Sequence, residues 1–233
     1  MKSQLLFALI LTVSNTYGQN LSTLQHLLNT TDFQLDTNGF SQLPKLEDYT
    51  CNGRVPKRNA HVCDLNQDGL KDLIFTGSCT PYTETVIFLN QGKSFQQVYS
   101  SGGKVIAIEK NGDITEIMIF VEACCCIRFS NLFIAQIGKD NTCQKQSITF
   151  HTDTELSLGQ VLLTEKMSGT IRTTPKVNNK PQKDECTDER QIGNKLIIIK
   201  DEEVTVLDQK GKWSLVLAAK DTEQSVIGWI KTK

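Results

Sequence analysis

The most constraining feature of the sequence is a short stretch in which oxygen-bearing side chains recur at alternate positions. Residues 63–75 read CDLNQDGLKDLIF, with Gly69 directly after the third of these side chains. The oxygen-bearing side chains are Asp64, Asn66, Asp68 and Asp72. Calcium is held by about six to eight oxygens from a sharply turning segment, and glycine permits such a turn because it has no Cβ. The spacing predicts a calcium site, with a solvated turn rich in Asp and Asn as the alternative.

The stretch begins like an EF-hand loop but does not continue as one. Counted from Asp64, the first six positions match that motif, which places oxygens at positions 1, 3 and 5 and a glycine at position 6. The twelfth position is Phe75, where an EF-hand carries a glutamate that binds calcium through both oxygens. Helical patterns do not flank the stretch, so the sequence predicts a calcium loop between two strands, closed by Asp72.

Length and charge exclude some classes of partner. The chain has 233 residues, with 25 Lys and Arg against 26 Asp and Glu. This length suits one large or two small domains and is sufficient to bury a core. The balanced charge and the lack of a basic stripe argue against nucleic acid as a partner.

The amino-terminal segment has the pattern of a secretory signal peptide. Lys2 precedes an apolar run over residues 5–13, and Gly18 offers a small residue for cleavage. The run is too short to span a bilayer. We expect residues 1–18 to be removed and the mature chain to be exported to the periplasm or the extracellular space without spanning the membrane.

The cysteines predict disulfide bonds, because export and an even count favour them, although the pairing cannot be deduced from sequence. The candidates are Cys51, Cys63, Cys79, Cys124, Cys125, Cys126, Cys143 and Cys186. A bridge among the first three would hold the strands that flank the predicted calcium loop. For the triplet at 124–126, the alternatives to disulfides are a thiolate metal site and a nucleophile with His151 or His61 as its base.

A second motif follows the predicted calcium loop. Residues 87–95 read IFLNQGKSF, a strand that ends in Asn-x-Gly and is followed by Phe. Together, residues 60–99 resemble one repeat of the FG-GAP/VCBS type, in which an Asp-rich calcium loop joins two strands of a propeller blade. The resemblance implies a four-stranded blade with Ca²⁺ held by Asp64, Asn66, Asp68, the Leu70 carbonyl and Asp72. The motif does not recur, so we expect one blade-like calcium hairpin within a larger antiparallel β domain, not a propeller.

The C-terminal stretch has a different pattern. Residues 203–207 (EVTVL), 211–216 (GKWSLV) and 228–230 (GWI) resemble the strands of a bacterial SH3-like (SH3b) domain. In that family, such modules often bind cell-wall peptides or other proteins. Trp213 and Trp229 are the possible ligand-binding residues, with core packing in a small barrel as the alternative.

These patterns predict a mainly β chain with a break near Lys166. A β domain with the calcium loop would occupy residues 19–166, and an SH3-like barrel residues 167–233. We expect an exported, non-catalytic calcium-binding protein, acting as a binding, adhesion or cell-envelope interaction module in which Ca²⁺ is structural. One alternative is a cell-wall-active enzyme with a cysteine nucleophile and His151, although the sequence lacks His-Glu-x-x-His and Gly-x-Ser-x-Gly motifs. Another is a small-ligand sensor built on the triple cysteine.

Overall fold

The described part of the chain consists mainly of β-strands. A computed structural model describes residues 25, 34–36, 59–77, 83–123, 128–158, 163–183 and 190–232. Their mainly β character confirms the predicted fold class at that level. Among these residues, a helix with the length and apolar character needed to cross a membrane is not found. The predictions for residues 1–18 and for Cys51, Cys79, Cys124, Cys125, Cys126 and Cys186 lie outside the described residues.

The chain divides into two compact units. Of the described residues, the first unit holds 34–36, 59–77, 83–123 and 130–148. The second unit holds 25, 128–129, 149–158, 163–183 and 190–232. This division differs from a single break near Lys166, because one uninterrupted strand, Leu163–Arg172, runs through that residue.

The first unit begins with a four-stranded antiparallel sheet. Its strands, hydrogen-bonded in sequence order, are β1 (Ala60–Cys63), β2 (Asp72–Gly77), β3 (Glu84–Asn90) and β4 (Phe95–Gly102). The β3–β4 turn follows the Asn-x-Gly sequence: Gly92 has a φ of +81°, and the Gln91 N–H donates to the Ser94 carbonyl at 2.8 Å. Glycine supplies this left-handed conformation without a steric penalty.

The rest of the first unit is built from β5 (Lys104–Asn111), β6 (Ile114–Val121) and most of β7 (Phe129–Gly138) and β8 (Cys143–His151). The first residue of β7 and residues 149–151 of β8 are counted with the second unit. Side chains from both sets of strands form one buried core: Leu65, Ile74, Ile87, Leu89, Tyr99, Val105, Ile117, Ile119, Ala135 and Ile137. A second buried cluster lies on the other face of β1 to β3: Ala60, Val62, Leu73, Phe75, Val86 and Phe88. Because β2 and β3 are buried on both faces, their sequences are nearly continuous apolar runs.

The second unit contains a ring of paired strands. Its elements are β9 (Leu163–Arg172), the short pair β10 (Pro181–Lys183) and β11 (Arg190–Ile192), β12 (Lys195–Lys210), β13 (Trp213–Ala219) and β14 (Gln224–Lys231). Pairings run β9 to β12, β12 to β13, β13 to β14, and β14 back to β9 through Trp229 and Arg172. The ring encloses a core of Ile171, Ile199, Val204, Val206, Val216, Ala218, Val226 and Ile230.

Strand β12 merges two strands that the sequence separates. The sequence pattern predicts distinct strands at residues 195–200 and 203–207. In the structure, both belong to one continuous strand of 16 residues. The join is a bulge in the pairing with β9, between Ile199 and Glu202, where Asp201 has a φ of +54°. A bulge absorbs the extra residues and bends the strand without ending it.

Candidate metal centre

The predicted calcium ligands lie in and next to the connection between β1 and β2. We call residues 64–72 the acidic loop. It turns through two left-handed residues, Gln67 with a φ of +61° and Gly69 with a φ of +87°. Leu65 is fully buried in the core of the first unit, and its carbonyl accepts the Thr115 hydroxyl at 2.5 Å. An apolar side chain therefore anchors the start of an otherwise polar loop.

Three of the predicted ligands direct their oxygens towards the backbone of one turn. Asp64 accepts the N–H groups of Asp68 and Gly69, one on each carboxylate oxygen, at 3.2 and 3.1 Å. Asn66 Oδ1 accepts the Asp68 N–H at 3.3 Å. Asp68 Oδ1 accepts the Leu70 N–H at 2.8 Å. Such side-chain-to-backbone bonds are typical of Asx turns, and here they place the three side chains around a common backbone segment.

Asn66 also joins the acidic loop to a distant turn. Its side chain is buried, with 1% exposure for the residue. Its amide nitrogen donates to Asp68 Oδ2 at 2.9 Å and to Asn141 Oδ1 at 2.6 Å. Asn141 lies in the β7–β8 turn with a φ of +65°, a conformation that asparagine tolerates better than most residues. The sequence did not reveal this partner.

Asp72 fastens the acidic loop to the neighbouring strand. The residue is completely buried, and its Oδ2 accepts the Leu65 N–H at 2.6 Å. Its Oδ1 accepts the N–H of Asn90, at the end of β3, at 2.8 Å. Burial raises the pKa of the Asp72 carboxyl, while the N–H donors of Asn90 and Leu65 oppose the rise. Besides being a predicted ligand, Asp72 therefore organises the backbone, a role that the sequence did not predict.

The donor set of the acidic loop has the chemistry that calcium prefers, namely carboxylate, amide and carbonyl oxygens. A carboxylate oxygen that accepts one N–H keeps a lone pair for a second partner. Among the described residues, however, three His, Cys, Asp or Glu side chains are not brought together as a metal ion requires. The residues fit calcium by type and position: Asp64 is half-buried and Asp68 is exposed, and both carboxylates already face the backbone of the turn.

The two described cysteines behave as small apolar residues. Cys63 and Cys143 are half-buried against the core of the first unit and carry free thiols. Burial, assisted by the Asp72 carboxylate, raises the pKa of Cys63 to about 12. Burial also raises the pKa of Cys143. Within the part of the chain that the structure describes, neither cysteine forms the disulfide bond expected of it, and both thiols stay protonated near neutral pH.

The two tryptophans occupy different environments in the second unit. Trp213 begins β13 and is half-buried. Trp229 is only 2% exposed, and its indole N–H has no hydrogen-bond partner among the described residues. A tryptophan that lines a ligand groove leaves a ring face open, so the burial of Trp229 agrees with the core-packing alternative.

His151 lies at the end of β8 in the second unit. The residue is 5% exposed, and its ring meets the Phe129 ring edge to face at 5.2 Å. Its Nδ1 accepts the Asp153 N–H at 3.0 Å. Within the described part of the second unit, no cysteine accompanies His151, and the triplet at 124–126 lies outside the described residues.

Comparison with known proteins gave no relative. Protein-family models do not match the chain, and searches of curated proteins and of solved structures found no match. Function is therefore inferred from the residues and their geometry.

Proposed function

We propose that the chain is an exported, non-catalytic binding protein in which the acidic loop takes up Ca²⁺ as a structural ion. The observation that carries this proposal is the turn in which the side-chain oxygens of Asp64, Asn66 and Asp68 accept hydrogen bonds from the successive backbone N–H groups of residues 68–70. These three side chains, the Leu70 carbonyl and Asp72 would hold the ion. Calcium would offset the repulsion among the carboxylates and cross-link the acidic loop.

The surrounding sheet supports a structural role for the ion. The acidic loop joins the first two strands of a four-stranded antiparallel sheet, the arrangement that the FG-GAP/VCBS resemblance implies. Asp72 already connects the acidic loop to Asn90 in β3. An ion bound here would brace a connection between strands, which is a stabilising role and not a catalytic one.

The second unit supports the binding part of the proposal. Its closed ring of four antiparallel strands is compatible with the SH3-like barrel that the sequence resembles. We propose that this unit recognises a peptide or protein of the cell envelope. Export, for which the signal-peptide pattern at residues 1–18 argues, would bring it to such a partner.

Thermal unfolding of the mature chain tests the calcium proposal. We expect the melting temperature to rise with added CaCl₂ and to fall with EGTA, because a ligand that binds only the folded state stabilises it. At a free concentration of about 100 times Kd, the gain is about 2.7 kcal/mol. MgCl₂ should raise the melting temperature less, since Mg²⁺ requires a stricter octahedral geometry.

Matched variants locate the ion. Asp64→Asn combined with Asp68→Asn should abolish the response to calcium while leaving the chain folded. The control is Asp113→Asn, an exposed carboxylate that pairs with Lys139 at 2.6 Å outside the acidic loop. It should keep the full response. Equal melting temperatures in CaCl₂ and EGTA for the unsubstituted chain would show that the folded chain does not bind calcium.

A further inference from the structure

The second unit contains a cleft that the sequence did not indicate. It encloses about 380 Å³, a size suited to a small ligand. We call it the basic cleft, because three cationic side chains line it together with a buried histidine. Its principal lining residues are Arg128, Phe129, His151, Lys176, Asn194 and Lys195. All of these residues belong to the second unit.

One wall of the basic cleft is a rigid contact between two short segments. The Thr152 N–H donates to the Arg128 carbonyl at 2.9 Å, and the rings of Phe129 and His151 pack edge to face. Because His151 Nδ1 accepts the Asp153 N–H, the proton of the neutral imidazole resides on Nε2. Burial lowers the pKa of His151 and favours this neutral form. The ring therefore offers an N–H donor instead of a fourth cation.

Asn194 organises a second part of the lining. Its side-chain nitrogen donates to the Thr174 hydroxyl and to the Lys176 carbonyl, each at 2.8 Å. Its Oδ1 accepts the Asn178 N–H at 3.1 Å and an Arg172 N–H at 2.9 Å. One side chain thus holds the segment of residues 174–178 in place. A wall ordered before binding lowers the entropy cost of taking up a ligand.

Positive charge is in excess around the basic cleft. Arg128, Lys176 and Lys195 do not form ion pairs within the described residues, and Asp153 is the acidic residue of the lining. Behind the lining, Arg172 is only 7% exposed. Its guanidinium donates to neutral oxygens: Asn194 Oδ1 at 2.9 Å, Asn179 Oδ1 at 3.1 Å and the Asn178 carbonyl at 3.3 Å. A buried cation bonded only to neutral oxygens is solvated by dipoles but not neutralised.

We propose that the basic cleft binds a small organic anion whose carboxylate or phosphate group faces Arg128, Lys176 and Lys195. The oxyanion would compensate the excess positive charge, and its charge-assisted hydrogen bonds are stronger than neutral ones. Phe129 and Leu196 supply apolar surface for the body of the ligand. His151 Nε2–H supplies a neutral donor beside the anion.

Calorimetric titration of the full mature chain tests this proposal with two probes, sodium succinate and sodium phosphate, at constant ionic strength. We expect saturable binding of at least one probe, and the tighter probe identifies the preferred oxyanion. The test variant, Arg128→Gln/Lys176→Gln/Lys195→Gln, should bind at least about tenfold more weakly, the loss expected when about 1.4 kcal/mol of interaction is removed. Circular dichroism checks that this variant remains folded.

The matched control removes the same charge elsewhere in the second unit. Lys212→Gln/Lys220→Gln/Lys231→Gln changes three exposed lysines that do not line the basic cleft, so its affinity should stay within about twofold of the unsubstituted chain. Failure of both probes to saturate would overturn the proposal. Equal weakening by the two triple variants would also overturn it, since the anions would then be responding to overall charge. The result is independent of the calcium proposal, because the acidic loop contributes no residue to the basic cleft.

Discussion

The carboxylate of Asp72 accepts the backbone N–H of Asn90 at 2.8 Å and, through its other oxygen, that of Leu65 at 2.6 Å. Asp72 is completely buried. One donor lies at the start of the acidic loop and the other at the end of β3, so a single side chain fixes the acidic loop to a strand that is not its chain neighbour. Buried N–H groups are costly when unpaired, so Asp72 stabilises the first unit whether or not calcium is bound.

Replacing Asp72 by alanine should therefore destabilise the chain even in EGTA. Two N–H groups would lose their acceptor, at about 1–3 kcal/mol for each group that remains buried. We expect the free energy of unfolding to fall by about 2–6 kcal/mol, measured by urea denaturation.

The control for this substitution is Asp113→Ala. Asp113 is an exposed acid paired with Lys139, and exposed pairs contribute about 0–1 kcal/mol. If Asp72→Ala lowers the free energy of unfolding no more than Asp113→Ala does, Asp72 does not stabilise the backbone.

The strands of the first unit were predictable because their signals are local. The apolar runs of β2 and β3, and the Asn-x-Gly turn after Leu89, each lie within a few residues. The partners of the acidic loop were not predictable, since Asn66 and Asn141 are 75 positions apart and each looks like an ordinary turn residue. Only the fold brings them together.

Contacts between distant parts of the chain also form two features of the second unit that local sequence does not indicate. The acidic residues 201 and 202 separate two segments that read as distinct strands, yet pairing with β9 carries β12 through them as a bulge. The basic cleft draws Arg128, Lys176 and Asn194 from separate parts of the chain. None of these residues lies in a sequence motif, so the cleft becomes visible only when the strands are paired.

Gly193 and Gly211 have the same backbone conformation but different surroundings. Substituting alanine at each position therefore distinguishes backbone strain from steric crowding. Gly193 and Gly211 each have a φ of +60° and lie in turns that begin and end β12. A Cβ atom on Gly193 would lie 2.0 Å from the Asn178 carbonyl oxygen, whereas one on Gly211 meets nothing within 4 Å. Gly211→Ala should lower the free energy of unfolding by about 1–2 kcal/mol, because alanine is strained in the left-handed conformation.

Gly193→Ala should cost more, because the backbone of Asn178 must also move, and crowding typically adds about 1–3 kcal/mol. The Asn178 carbonyl accepts hydrogen bonds from Asn194 and Arg172, so this substitution should also disturb the basic cleft. Urea denaturation of both variants measures the difference. Equal losses of stability would mean that the contact between Gly193 and Asn178 is not tight.

The buried His151 predicts how stability changes with pH. Burial holds the pKa of His151 below its ordinary value of 6.5; the nearby Arg128 charge acts in the same direction, and the Asp153 carboxylate opposes both. Between the lowered folded pKa and 6.5, the unfolded chain binds more protons than the folded chain. The contribution of His151 is thus fully present above 6.5 and is lost as pH falls through that window.

His151→Gln should reduce the loss of stability on acidification, because glutamine does not titrate. For each protein, the free energy of unfolding is measured at about pH 7.5 and about pH 5, a range that spans the titration of histidine. The change between the two pH values in the variant is then compared with the change in the unsubstituted chain. His61→Gln is the comparison in the first unit: burial also lowers the pKa of His61, so its substitution should remove a separate part of the acid-induced loss, and the loss removed in the double variant should be about the sum of the two. The same acid-induced loss in His151→Gln as in the unsubstituted chain would show that His151 is not held neutral by burial.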